Sequence, residues 1–154
     1  MLLYKIAPEV REVKEYRKNS HAVYDIKYHI IWITKYRYQV LKGEVARRAR
    51  ELIIQGCQAR NITIIKGSVG KDHIHMLISC PPTIAPAKVL QYLKGRSSRL
   101  LQEEFPELKR RYWGQHLWAR GYFCATVGSV TEEMIKQYIE NQGKQENNDF
   151  KVEE

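Results

Sequence analysis

No apolar run in this chain nears the roughly 18 residues that a membrane-crossing helix needs. The residues after Met1 also lack the charged, apolar and small-residue segments of a secretory leader. The expectation is a cytoplasmic protein with no membrane partner. Cysteine is scarce: Cys57, Cys80 and Cys124 are odd in number, far apart and set among apolar residues. That pattern fits neither a disulfide framework nor a zinc spacing, and it leaves reduced core residues. The chain has no Gly-rich phosphate loop, no internal repeat and no low-complexity tract. Acidic residues are in short supply as well, 17 against 26 Lys and Arg, which leaves a net charge of +9. Such an excess favours a polyanionic partner. No basic amphipathic helix with exposed large apolar residues stands out, so nucleic acid fits better than a membrane surface.

The 154 residues, 44% hydrophobic and 28% charged, suit one domain with its own core. Within it, Lys71-Asp72-His73-Ile74-His75-Met76-Leu77-Ile78 places two histidines at i and i+2 in a β-rich run. In a strand those two side chains share a face while Ile74 and Met76 point to the other. Two imidazoles held on one strand make half of a metal site. The pair alone does not separate that reading from polar residues satisfied in a half-buried strand.

Residues 1–20 read as an appendage, with a possible short helix over 9–16. Residues 21–36 form a long strand, with Tyr24, Ile26, Tyr28, Ile30 and Trp32 on one face. Lys35-Tyr36-Arg37-Tyr38 then interleaves cations with rings, the chemistry a groove for unpaired bases uses, although snorkelling side chains at a strand end read the same way. Residues 42–60 form a helix with Val45, Ala49, Leu52, Ile53, Gly56 and Cys57 as its buried stripe. Strand 62–69 and the histidine strand, running to Cys80, make a hairpin across Gly70. A second helix enters at Pro86 and runs to about Glu104; its outer face carries Lys88, Lys94, Arg96 and Arg99. Lys109, Arg110 and Arg111 form a basic turn, and residues 118–127 a fourth strand. Ser129 with Glu132 is a capping box that starts a last helix, reaching about Gly143. Residues 21–145 thus form one domain, and 146–154 a polar tail.

Two βαβ halves in this order predict an α+β fold, ferredoxin-like and shaped like RNA-recognition folds. It has a four-stranded antiparallel sheet with helices on one face, plus a C-terminal helix carrying Tyr138. The sheet's other face is expected to be free for a ligand or partner. Tyr138 and Gln142 lie one helical turn apart on the same side. A tyrosine can act as a nucleophile, and a glutamine carbonyl is an acceptable ligand for magnesium or manganese. By itself the helix reads more readily as an amphipathic one whose tyrosine packs at the core edge.

Five blocks carry a resemblance: residues 21–41 (HAVYDIKYHIIWITKYRYQVL), 72–77 (DHIHML), 89–101 (VLQYLKGRSSRLL), 118–128 (WARGYFCATVG) and 135–142 (IKQYIENQ). In that order they resemble the single-tyrosine HUH transposases of simple insertion sequences, with relatives associated with repeated extragenic palindromes. The resemblance implies that His73 and His75 are the HUH histidines and Tyr138 the nucleophile. Gln142 would complete the site for a divalent ion, Mg2+ or Mn2+. Asp72 also matches, either as a turn residue or as an outer-shell partner of an imidazole. Single-stranded DNA with hairpin ends is the implied substrate. A homodimer whose sites combine the histidines of one chain with the tyrosine of the other is the implied assembly. Lys35, Tyr36, Arg37, Lys94, Arg96 and Arg99 are the candidate DNA contacts.

The expected reaction is cleavage and rejoining of single-stranded DNA through a 5′-phosphotyrosine. A free phenol holds its proton to about pH 10, so the attack needs a metal or a neighbouring base. Three other readings share the sequence features: a non-catalytic single-strand-binding module, a metal-dependent hydrolase that uses water, and a domesticated relative that processes palindromes.

Overall fold

Strand β3 (Lys27–Ile33) buries Ile30 and Trp32 at alternate positions and lies inside the sheet. The computed structural model describes residues 16–19, 21–141 and 150–153. They form, in chain order, β1 (Arg17–Lys18), β2 (Val23–Tyr24), β3, α1 (Gly43–Ala59), β4 (Thr63–Val69), β5 (His73–Ser79), α2 (Pro86–Glu104), α3 (Pro106–Arg111), β6 (Phe123–Thr126), α4 (Ser129–Glu140) and β7 (Phe150–Val152). The main sheet runs β6-β3-β5-β4-β7, and β1 with β2 makes a separate two-stranded ribbon. β5 is antiparallel to both neighbours, with Ile33 opposite His73 and Val69 opposite Ile74.

One face of the sheet makes the core. Ile30, Trp32, Val69, Ile74, Met76, Ile78 and Phe150 pack there against Ala49, Leu52, Ile53 and Cys57 of α1 and Val89, Leu90, Leu93 and Leu101 of α2. The two helices approach closely at Gly56, where a Cβ would stand 2.9 Å from the Leu93 side chain. The α+β class and the helices over the core face agree with the sequence reading.

Several expectations need correcting. Among the described residues the main sheet has five strands, and it is mixed, because β7 lies parallel to β4. The expected polar tail is therefore partly structural: Phe150 is 3% exposed, its ring pressed where a side chain on Gly67 would otherwise stand. The strand expected over 21–36 is shorter at both ends. It yields at Lys35–Arg37 to a 3-10 turn in which Tyr36 takes φ 64°. The strand expected over 118–127 contracts to β6, because Gly121 turns the chain at φ 81°. Trp118, bridged to Thr34, instead stacks edge-on against Trp32 at 5.8 Å and donates its indole N–H to Ser97 Oγ at 2.9 Å. The basic turn at Lys109, Arg110 and Arg111 is the end of α3. Arg17, placed in the appendage, donates to the carbonyls of Ser79 and Asn61 at 2.8 Å each. The possible helix at 9–16 lies, except for Tyr16, outside the described residues, as do Gln142 and Gly143.

The second sheet face is covered. Helix α4 packs on β4 and β5, fastened by Lys27 to Glu132 at 3.0 Å and Lys66 to Glu140 at 2.6 Å. The Glu132 carboxylate, expected in a capping box, thus takes Lys27. Among the described residues no helix is long and apolar enough to cross a membrane. If β7 is an integral strand, Phe150→Ala lowers stability by about 3 kcal/mol, the usual cost of emptying a buried Phe site. Urea denaturation measures it, and a loss within error of zero would show β7 to be dispensable.

Candidate active site

The face that α4 covers is the one to which the histidines point. Period-two alternation sends Ile74, Met76 and Ile78 into the core and His73, His75 and Leu77 toward α4. His75 is 1% exposed. Its ring lies 4.5 Å from that of His29, on the neighbouring strand, with the two Nε2 atoms in hydrogen-bond contact. On its other side lies the Tyr138 ring at 5.4 Å, edge-on. Tyr138 itself is 56% exposed and stands beside a buried imidazole. Phe123 closes the far side of His29 at 5.5 Å.

His73 stands at the start of β5 in a different setting. Its Nδ1 donates to Asp72 Oδ1 at 2.9 Å, and the other Asp72 oxygen accepts from Arg37 Nε at 3.0 Å. Asp72 thus lies in the bend before β5 and also meets the imidazole with its carboxylate. The second imidazole nitrogen, Nε2, faces Glu153 Oε2 at 3.6 Å. Gly70 makes room for this ring, since a Cβ there would come 2.7 Å from both ring nitrogens. Burial pushes the Asp72 carboxyl up, but the hydrogen bonds from His73 and Arg37 outweigh it and hold the group below the carboxylate range. Glu153, and after it Asp72, raise the His73 pKa against the opposing effect of burial. His29 moves the other way: burial, and then the neighbouring His75, lower it to about 4.

The other expected residues are scattered. Gln142 lies outside the described residues. Lys35 holds its ammonium 5.4 Å from the Tyr36 ring, and Tyr36 is 68% exposed in its left-handed conformation. Arg37 is engaged by Asp72. Lys94 donates to the carbonyls of Ala119 and Gly121 at 2.9 Å, and burial lowers its pKa. Arg96 donates to the Leu52 carbonyl at 2.8 Å, so both cations also brace the fold. Arg99 meets Glu103 at 3.6 Å. With Lys35, Lys94, Lys109 and Arg120 it lines an open groove of about 870 Å³ between α2 and the segment after α3.

Sequence reasoning passed over three residues of the site. His29 was legible, since it alternates with Ile30 and Trp32 and must therefore share the histidine face. Gly70 was read as a turn residue only. Glu153 lies eighty positions from His73 and gave no signal.

The donor chemistry fits a divalent ion. Two imidazoles come from one strand, and a carboxylate on Nδ1 of His73 fixes the tautomer that leaves Nε2 its lone pair. Among the described residues no three His, Cys, Asp or Glu side chains converge as a finished cage. A completed site therefore needs a donor of another type, a residue outside the described set, or a side-chain movement.

The family model described as "Transposase IS200 like" matches residues 22–142. The transposase for insertion sequence element IS200 from Salmonella typhimurium is 38% identical over 123 residues, covering 80% of each chain. The ISDra2 transposase TnpA of Deinococcus radiodurans is 37% identical over 132 residues, 86% of this chain and 94% of that one. Among solved structures, a crystal structure assigned as a transposase of Deinococcus radiodurans superposes with a TM-score of 0.68 at 36% identity, over 82% of this chain and 97% of that one. A REP-associated tyrosine transposase bound to a REP hairpin is similar in fold, with a TM-score of 0.56 at 12% identity, over 82% of this chain and 68% of that one.

Two outcomes follow from the site's electrostatics in metal-free protein. In a proton NMR titration His29 changes protonation near pH 4 and His73 above the ordinary histidine value. Because His29 binds its proton less well folded than unfolded, its contribution to stability falls as pH drops from about 6.5 to about 4. The contribution of His73 has the opposite sign, being full below the unfolded value and lost as pH rises through its folded one. A His29 resonance titrating at or above 6.5 would contradict its buried pairing with His75. Gly70→Ala is expected to displace the His73 ring and to cut any activity that uses it by roughly tenfold or more, with circular dichroism unchanged.

Proposed function

The chain belongs to the IS200-like transposase family, and from that premise we propose that it cleaves and rejoins single-stranded DNA at insertion-sequence ends through a 5′-phosphotyrosine on Tyr138. One observation supports this reading above others: the accessible Tyr138 ring stands 5.4 Å from the buried His75 ring on the histidine strand. A nucleophile beside a pair of metal-type imidazoles suits phosphoryl transfer to an enzyme side chain.

His73 and His75 would hold a divalent ion, Mg2+ or Mn2+, with Gln142 as an oxygen donor. When bound, the ion supplies positive charge to the non-bridging oxygens of the scissile phosphate. The Tyr138 hydroxyl attacks phosphorus, a Tyr–O–P bond forms, and the bond to the 3′ oxygen breaks, leaving a free 3′-hydroxyl. Rejoining is the reverse attack by another 3′-hydroxyl. The phosphoester count is conserved, so the cycle needs no nucleotide hydrolysis. Asp72 holds the His73 ring in place, and α4, tethered through Glu132 and Glu140, presents Tyr138 to the histidine face.

For hairpin ends, the groove with Lys35, Arg99, Lys109 and Arg120 offers cations spaced for phosphates, and Tyr36 an exposed ring for an unpaired base. In a homodimer, Gly128 would act as the hinge by which α4 leaves its own sheet and docks on the partner's, so that each site uses one chain's histidines and the other's tyrosine.

Incubation with labelled single-stranded DNA from the element's ends, with Mg2+ or Mn2+, gives a denaturation-resistant protein–DNA band in the wild type and none in Tyr138→Phe or His73→Ala. Cutting without attachment would instead mark a water-using hydrolase, and binding with neither a non-catalytic module. Mixing Tyr138→Phe with His73→Ala chains restores the band if sites are shared; no restoration would confine each site to one chain. Arg99→Glu is expected to weaken hairpin affinity and to lower the salt slope by about one per lost phosphate contact, measured by fluorescence anisotropy.

A further inference from the structure

We propose that Glu153, just past the end of β7, is a ligand of the divalent ion, an inference that rests on the metal-assisted reading above. Asp72 takes the Nδ1–H of His73, so Nε2 is the nitrogen left for a metal, which would displace any proton held there. Nε2 faces Glu153 Oε2, 3.6 Å away. That separation is too long for a hydrogen bond. Two donors at right angles on an ion, each about 2.1 Å from it, stand about 3.0 Å apart. A small closing movement therefore lets one cation bridge the nitrogen and the oxygen.

The carboxylate is held in place by the fold. Ser68 Oγ, fully buried on β4, donates to the same Glu153 oxygen. The Glu153 backbone N–H donates to the Val69 carbonyl at 2.8 Å, extending the parallel ladder of β7 on β4. Phe150, three residues earlier, anchors the strand in the core. Oxygen, moreover, is the donor that magnesium and manganese prefer over further imidazole. After that movement His73 and Glu153 would form a half-site, to which His75, Gln142 and water would add the remaining donors. The consequence is that the end of the chain, beyond the tyrosine helix, belongs to the catalytic centre.

The test is Mn2+ titration of the full chain, following the electron paramagnetic resonance signal of the free ion, with melting in EDTA as the fold control. Glu153→Gln keeps the shape and loses the charge, and it is expected to bind Mn2+ about tenfold or more weakly, the range seen when even outer-shell partners are removed. Glu153→Asp keeps the charge but draws the carboxylate back by one methylene; it serves as the second variant should Glu153→Gln melt early, and is also expected to bind more weakly. Affinity within twofold of wild type in a folded variant, or tighter binding, would overturn the inference and leave Glu153 as a partner of the His73 imidazole alone. His73→Ala separates the two readings. If it leaves Mn2+ binding intact, the histidine metal site itself fails; if it abolishes binding while Glu153→Gln does not, only the role of Glu153 fails.

Discussion

Because successive side chains of a strand point to opposite faces, the seating of β5 between β3 and β4 decides at once which residues make the core and which make the site. Ile74, Met76 and Ile78 are fully buried on the helix-covered face. His73 and His75, in the alternate positions, are thereby held to the other face, beside His29 of β3 and Ser68 of β4. A slip of one residue would send both histidines into the apolar core at the cost of burying unpaired polar rings. The candidate chemistry therefore depends on a register that hydrophobic burial enforces.

The second layer is electrostatic. Of the excess cations, several are committed to the fold: Arg17, Lys94 and Arg96 donate to main-chain carbonyls, and Lys27 and Lys66 tether α4 through Glu132 and Glu140. Each of those side chains has exchanged water for a carbonyl or a carboxylate, which fixes its position and lowers its value as a phosphate contact. In the groove that Lys94 also lines, Lys109 and Arg120 are exposed, and Arg99 is exposed but meets Glu103. Net charge thus signals the class of partner, while the hydrogen bonds sort bracing cations from those available to it. At the histidines the same logic separates two rings of one residue type. His29, buried against another imidazole, is held neutral, and His73, between two carboxylates, is pushed toward its charged form.

Much of the molecule was legible in local pattern. The 3.6-residue stripes of α1 and α2 and the proline at the start of α2 located those helices nearly to the residue, because amphipathic periodicity and start signals are written in adjacent positions. The alternation around Ile30 and Trp32 and around Ile74 and Met76 likewise marked the two central strands and the faces of their side chains. The strand expected over 118–127 failed because the apolar content of that stretch serves two purposes: Trp118 fills the core as a bridge residue, and only Phe123–Thr126 make a continuous ladder with β3.

By itself the sequence determined the two core helices, the central strands, and the shared face of His73 and His75, since each depends on spacing within a few residues. Tertiary structure alone decided that Tyr138 comes beside His75, that the Asp72 carboxylate meets the His73 ring, that α4 covers the sheet, and that Phe150–Val152 return as a parallel strand that brings Glu153 beside the first histidine. Apart from the adjacent Asp72 and His73, these are pairings across tens of residues, and they are set by which surfaces remain to be buried once the local elements have formed. Parallel addition at an edge leaves no periodic mark in so short a strand, and for that reason Glu153 read as part of a tail.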